Sequence, residues 1–181
     1  MKSLSKWLSA AVAIAVFAGT VAAADTTVGG KIKSINAQKK TFVVTGFDDK
    51  DNTFTFDDKL VVNGDGKETK SDLKVGDPIF ICYEKGLTTW TAHYILVQEG
   101  KFKKCELIQG NVMAYDADKK ELSFTNLSKQ TTTYALGKAP VRLNMEDFKI
   151  EDVKIGDSAL LIVDMADGKS TLRSVMIKRA K

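Results

Sequence analysis

Seven side chains beyond the first 24 residues could bind a soft metal, act as a nucleophile or carry a proton: Cys82, His93, Cys105, Met113, Met145, Met165 and Met176. Cu(I) and its like need thiolate, thioether or imidazole groups converging on one point. None of the seven stands in a Met-x-Met or Cys-x-x-Cys pair. No metal site or cofactor is therefore expected, and the methionines are expected to pack, Met113 in a first strand and Met176 in a last one. The single histidine lies in no nucleophile motif, and no Gly-x-Ser-x-Gly elbow is present. The 23 acidic residues include no pair that spacing singles out for hydrolysis. No catalytic residue is assigned, and the chain is expected not to be an enzyme. Asp48, Asp49 and Asp51 could offer oxygens to a hard cation, but Lys50 interrupts them. They are read as a solvated hairpin tip, with cation binding left open.

The first 24 residues explain where such a chain would work. They carry Lys2 and Lys6, no acid, an apolar run from Ala10 to Ala18, and the small-residue exit Val21-Ala22-Ala23-Ala24. That is the layout of a secretory signal peptide cleaved after Ala24, and it places the protein in the periplasm or outside the cell. The run is shorter than the roughly 20 apolar residues a membrane span needs, and no later stretch is longer. The formal charge of +4 falls to +2 without this segment, too little for the positive field that draws nucleic acid. Two cysteines in an oxidising compartment are expected to pair, giving a Cys82–Cys105 disulfide. A buried free thiol at Cys82, an exposed one at Cys105, or a bond between two chains are the alternatives.

The elements that would position these groups come from self-comparison. A shift of 80 residues gives 12 identities over residues 30–97, among them Gly30 with Gly110, Lys39-Lys40 with Lys119-Lys120, and Gly76-Asp77 with Gly156-Asp157. Chance gives about 4 at ordinary composition. Each copy reads as three strands, a short helical turn and two more strands. In the first copy the helical turn falls on Ser71-Asp72-Leu73-Lys74-Val75. The expected fold class is all-β: two tandem five-stranded OB-like small barrels, each with one short helical turn between strands three and four. The expected bounds are 25–99 for the first barrel, 100–109 for the linker or start of the second, and 110–181 for the second. Lys101, Lys103 and Lys104 around Phe102 read as a solubilised linker.

Two details refine the layout. The apolar spacing Ala92, Ile95, Val97 recurs as Leu172, Val175, Ile177, three and then two apart. A bulge at His93-Tyr94 and at Arg173-Ser174 would restore register and turn His93 and Arg173 outward. In the fourth strands both alternating phases are apolar, with Phe80 and Cys82 in one copy and Leu160 and Ile162 in the other. A barrel strand has one inner face, so these four residues are expected to form an interface between the barrels.

The runs Gly30–Val44, Asp72–Asp77 and Ala92–Val97, with the second copy's Gly110, Lys119-Lys120 and Asp152–Asp157, resemble an exported bacterial family of small β-barrel domains of unknown function, often found in tandem. A distant resemblance of layout, through Met145–Ile150 and Val153–Asp157, extends to the periplasmic copper-binding chaperones of metal-efflux systems, which are single OB barrels. That family binds copper with a histidine, a stacked tryptophan and two methionines one residue apart. Here Asn144 and Glu146 flank Met145, so the resemblance implies the fold and not the copper site. The expected function is a non-enzymatic binding or structural module of the cell envelope or extracellular space, its partner an envelope protein or surface polymer. A periplasmic metal-binding protein of the copper type is the alternative, and a carboxylate-based hydrolase of cell-wall or carbohydrate substrates a distant one.

Overall fold

In the computed structural model, residues 25–70, 72–166 and 169–179 are described; the proposed signal peptide lies outside them. Almost all of the regular structure is β. The first half forms β1 (Asp25–Asn36), β2 (Thr41–Gly46), β3 (Asp51–Gly64), β4 (Lys67–Thr69), β5 (Pro78–Lys85) and β6 (Trp90–Val97). A 3₁₀ turn at Gly100–Phe102 leads into β7 (Cys105–Asp116), β8 (Glu121–Asn126), β9 (Thr131–Ala135), β10 (Val141–Leu143) and β11 (Glu146–Asp147). A second 3₁₀ turn at Ile150–Asp152 precedes β12 (Ser158–Asp164) and β13 (Thr171–Lys178). Among the described residues, no helix is long and apolar enough to cross a membrane.

The first sheet closes on itself. Its strands run β2-β1-β5-β6-β3, and β3 pairs back to β2, giving a five-stranded barrel with β4 as an outer flap. Closure depends on the length of β3. Its first part pairs with β2, and both ends pair in parallel with β6, on either side of a register shift between Phe56 and Val61. Alternate side chains fill the barrel. Phe54 stacks on Phe42 at 5.4 Å and meets Tyr83 edge-on at 5.1 Å, with Ile79, Ile81 and Ile95 fully buried beneath.

The second sheet does not repeat this closure. Its order is β11-β10-β13-β12-β7-β8-β9, with β9 and β11 as its ends. Where the first half has one continuous β3, the second has β9 and β10 separated at Leu136–Pro140. Gly137 there has φ +56°, and Pro140 lacks the N–H a ladder would use. Where a second barrel is expected, the described residues form a seven-stranded sheet with no closing pairing, and it buries its own core around Leu122, Phe124, Leu161 and Val175.

The expected helical turns also differ. No helix occupies residues 72–75. Instead the Asp77 carboxylate accepts the Lys74 N–H at 2.8 Å while the Asp77 N–H reaches the Lys74 carbonyl. Gly76 takes φ +95°, as the third position of a type II turn requires. Lys154 and Asp157 make the same pair of bonds around Gly156 at φ +87°. In the second half a 3₁₀ turn lies upstream, at Ile150–Asp152.

Between the sheets lies a third apolar cluster that includes Cys82, Tyr94, Leu107, Leu160, Ile162 and Met176, with Phe80 packed against it. Phe102 is buried there too, so the segment expected as a solubilised linker is anchored by its aromatic side chain. Two ion pairs span the same junction: Lys178 with Asp25, and Arg142 with Glu68 at 2.7 Å.

Candidate functional site

The junction carries a cavity of about 360 Å³ on one flank, lined from both sheets. His93 enters it from β6. Opposite β6, Cys82 pairs with Tyr94 and Tyr83 with Ala92, so His93 is skipped in the ladder and its ring projects from the bulge. Its Nε2 lies 3.6 Å from Glu84 and 3.9 Å from Asp25. Arg173 is skipped in the same way between Ile162↔Ser174 and Val163↔Leu172. Both bulges fall where the matched apolar spacing placed them.

Met145 reaches the cavity from the turn joining β10 to β11. Asn144 and Met145 both take positive φ, +49° and +76°, which costs an L-residue other than glycine about 1–2 kcal/mol. Hydrogen bonds to β13 and to Arg179 just beyond it hold the turn. The Asn144 N–H donates to the Ile177 carbonyl at 2.9 Å, its side-chain amide donates to the Arg179 carbonyl, and the Arg179 N–H returns to Asn144 Oδ1 at 3.1 Å. Met145 is left 40% exposed over the cavity, whereas Met176, from β13, is buried in its wall. Lys59 and Arg179 add cationic groups at the rim, and Tyr94 and Leu160 add apolar surface. Arg179 is itself held by a two-point pair with Asp157, at 2.9 and 2.6 Å. That contact lowers the Asp157 carboxyl below its usual value and raises the guanidinium.

The cysteines do not form the expected bridge. Both are free and buried, and each has its own neighbours. Cys82 Sγ lies 3.9 Å from Gln109 Oε1 and 4.0 Å from Lys178 Nζ, while Cys105 Sγ lies 3.9 Å from the Lys101 carbonyl. Burial pushes the Cys82 thiol up to about 12, against the pull of Lys178, and the Cys105 thiol up to about 11. The reason lies in register. Cys105 opens β7 opposite Asp164, whereas Cys82 sits mid-strand between Thr27 and Tyr94.

The other candidates disperse. Asp51 is engaged by Lys33 and the Thr45 hydroxyl, and Asp48 by Lys50. Among the described residues, no group of three or more His, Cys, Asp or Glu side chains is placed to hold a metal ion. Met113 is skipped at the Val112/Ala114 bulge of β7 and is 46% exposed, not packed as expected. Met165 is exposed too, its sulfur 3.5 Å from the Ser170 hydroxyl. Phe80, Cys82, Leu160 and Ile162 all fall in or against the intersheet cluster. Sequence spacing missed that His93, Met145 and Met176 share a cavity, because 52 residues and a change of sheet separate the first two.

The fold and cleft together define an all-β protein with a cavity at a sheet junction. No protein-family model and no curated protein matches the sequence. Among solved structures, Ag(I)-bound CusF matches at 15% identity and a TM-score of 0.34, over 41% of this chain and 97% of its own. A Cu(II)-bound variant of CusF from Escherichia coli matches with the same identity and TM-score, over 41% of this chain and 92% of its own. The distant likeness concerns the small β-barrel and places no ligand in this chain.

Proposed function

We propose that this is a non-enzymatic, exported binding module of the cell envelope or extracellular space whose ligand occupies the cleft between the sheets. The observation that supports it is the cleft itself. Both halves contribute walls, and a turn with two consecutive left-handed residues is held over its mouth. Such backbone strain persists where the surrounding contacts over-determine it, and it clusters at ligand sites. His93 has carboxylates, those of Asp25 and Glu84, as the neighbours of its Nε2 rather than a nucleophile. We further propose that the halves are tandem copies of one barrel unit, 25–99 and 110–181 with 100–109 between them. The bulges, the capped Lys-x-Gly-Asp turns and the close-packed glycines Gly30 and Gly110 all recur 80 residues apart. The test is co-sedimentation with isolated envelope material. Saturable retention that is lost in Lys59→Glu and Met145→Glu is expected; retention unchanged by both places the ligand elsewhere.

A second reading, a periplasmic binder of a soft metal ion, is favoured by one observation. An imidazole, His93, and two thioethers, Met145 and Met176, line this one cavity, and these are the donor types that select Cu(I) or Ag(I). Calorimetric titration of the protein with Cu(I), Ag(I) and Zn(II) separates the readings. A stoichiometric site tighter than micromolar for Cu(I) and Ag(I), lost in His93→Gln and Met145→Leu, establishes the metal reading. Nothing tighter than micromolar leaves the envelope ligand.

A further inference from the structure

The junction has a second flank, and its chemistry is different. A cavity of about 290 Å³ opens there, lined by Lys101, Arg142, Arg173, Ser174, Asn63 and Glu68. It corresponds to the first cleft under the 80-residue shift: Arg173-Ser174 stands where His93-Tyr94 stands, and Asp65, which carries positive φ, stands where Met145 does. The first cleft sets His93, Met145 and Met176 beside its cations Lys59, Lys178 and Arg179, whereas the second has no imidazole or thioether among its lining residues.

The charges are arranged rather than merely close. Arg142 NH1 donates to Glu68 Oε1 at 2.7 Å, and the same carboxylate oxygen accepts from the buried Tyr94 hydroxyl at 3.4 Å. Asn63 donates to that hydroxyl at 2.7 Å and accepts the Gly66 N–H. Arg173, projecting from its bulge, directs Nε and NH2 to Asp164 at 3.3 and 2.6 Å. Each arginine thus has one carboxylate and spare N–H groups, since a guanidinium carries five. Lys101 differs. Its ammonium lies 5.4 Å over the Phe102 ring and close against Gly66. Asp65 accepts the Lys101 backbone N–H at 2.9 Å, and among the described residues the ammonium makes no ion pair. Three cations therefore line the cavity with Glu68, while Asp164 pairs with Arg173 from beyond the lining; carboxylates hold both arginines, and the Lys101 ammonium rests on the Phe102 ring.

We propose that this second cleft is an anion-binding site for a compact oxyanion of the phosphate or sulfate class, bound by Lys101 and the spare N–H groups of Arg142 and Arg173, with the Ser174 hydroxyl as a further donor. Planar guanidinium forks suit tetrahedral oxyanions, and an ammonium supplies the point charge. The oxyanion could arrive free or as a substituent on a larger molecule, and the two probes below distinguish these sources.

The test is NMR titration of the isotope-labelled protein with inorganic phosphate and, separately, with glycerol 3-phosphate. Saturable shifts of the Arg142 and Arg173 Nε–H and the Ser174 N–H resonances are expected, weakening as chloride is added. Lys101→Gln is expected to weaken binding about tenfold, the worth of one charge-assisted contact. Arg173→Gln tests the same site through a different residue. Lys39→Gln, on the exposed hairpin between β1 and β2, should leave these shifts unchanged. Tighter binding of the ester assigns a phosphorylated molecule, and equal or tighter binding of phosphate assigns the free anion. No saturable shift, or shifts that survive both Lys101→Gln and Arg173→Gln, overturns the proposal.

Discussion

Cys82 shows how much one buried side chain reveals about a core. It is fully buried with its thiol pushed up to about 12 by that burial, so at pH 8 the thiolate that alkylation needs is scarcely populated. Cys105 is almost as protected. Native protein should therefore resist iodoacetamide, and unfolded protein without reductant should take up two adducts per chain by intact mass. No adducts after unfolding would restore the bridge that the compartment suggests. Asp157 carries a different residue-scale prediction. The Arg179 contact, with the Lys154 N–H behind it, lowers its folded pKa below 3.8. The stability it contributes is thus complete above the unfolded value and lost as pH falls through the folded one. Asp157→Asn should cost about 1–2 kcal/mol at neutral pH, and the gap from wild type should narrow in urea melts below pH 3.8. The sequence displayed both residues but not their partners. Cysteine number and the expected export argue for pairing on average, whereas in the structure the register gives each thiol its own neighbours.

The turns and bulges show which elements are legible and which mislead. Matched apolar spacing located the His93 and Arg173 bulges because a bulge changes the period of burial, and burial is written in residue type. The Lys-x-Gly-Asp segment misled because Leu73 and Val75 after Ser71-Asp72 mimic one helical turn. The deciding feature is the aspartate after the glycine, whose carboxylate replaces a helical hydrogen bond with a turn cap. Glycine substitutions separate the two demands made on this residue. At Gly156 a Cβ would meet nothing within 4 Å, so Gly156→Ala should cost only the left-handed backbone, about 1–2 kcal/mol. At Gly110 a Cβ would lie 2.1 Å from the Thr125 carbonyl oxygen and 2.8 Å from the Asn126 Cα, where strands cross too closely to yield. Gly110→Ala should therefore lower stability well beyond Gly156→Ala in denaturant melts. Equal costs would mean that β7 and β8 can part without penalty.

At the scale of the whole molecule, the sheets are joined by apolar surface that neither could leave in water. A strand of a small barrel needs one apolar face, yet β5 and β12 are apolar on both, a doubling visible in the sequence at Phe80, Cys82, Leu160 and Ile162. What the sequence did not show is how many other elements join them. Leu96 and Tyr94 from β6, Phe102 from the connecting turn, Leu107 from β7 and Met176 from β13 complete the cluster. These residues come from strands whose inner faces already serve the two cores, so their outward phase reads as ordinary surface until a partner is known. Units of roughly 70 residues are individually marginal, and the second sheet lacks the backbone closure that the first has. The shared cluster should therefore make the two halves melt together, as one calorimetric transition whose van't Hoff and calorimetric enthalpies agree. Leu160, 1% exposed at the centre of that cluster, is the residue to break. An unpaired charge there should cost about 3–5 kcal/mol, so Leu160→Lys should lower the melting temperature sharply and split the transition in two. Phe80→Lys, at the half-buried margin, should lower it less and leave one transition. Two transitions in the wild-type protein, or an unchanged melt in both variants, would show that the halves fold independently and that the clefts flanking their junction are not fixed by it.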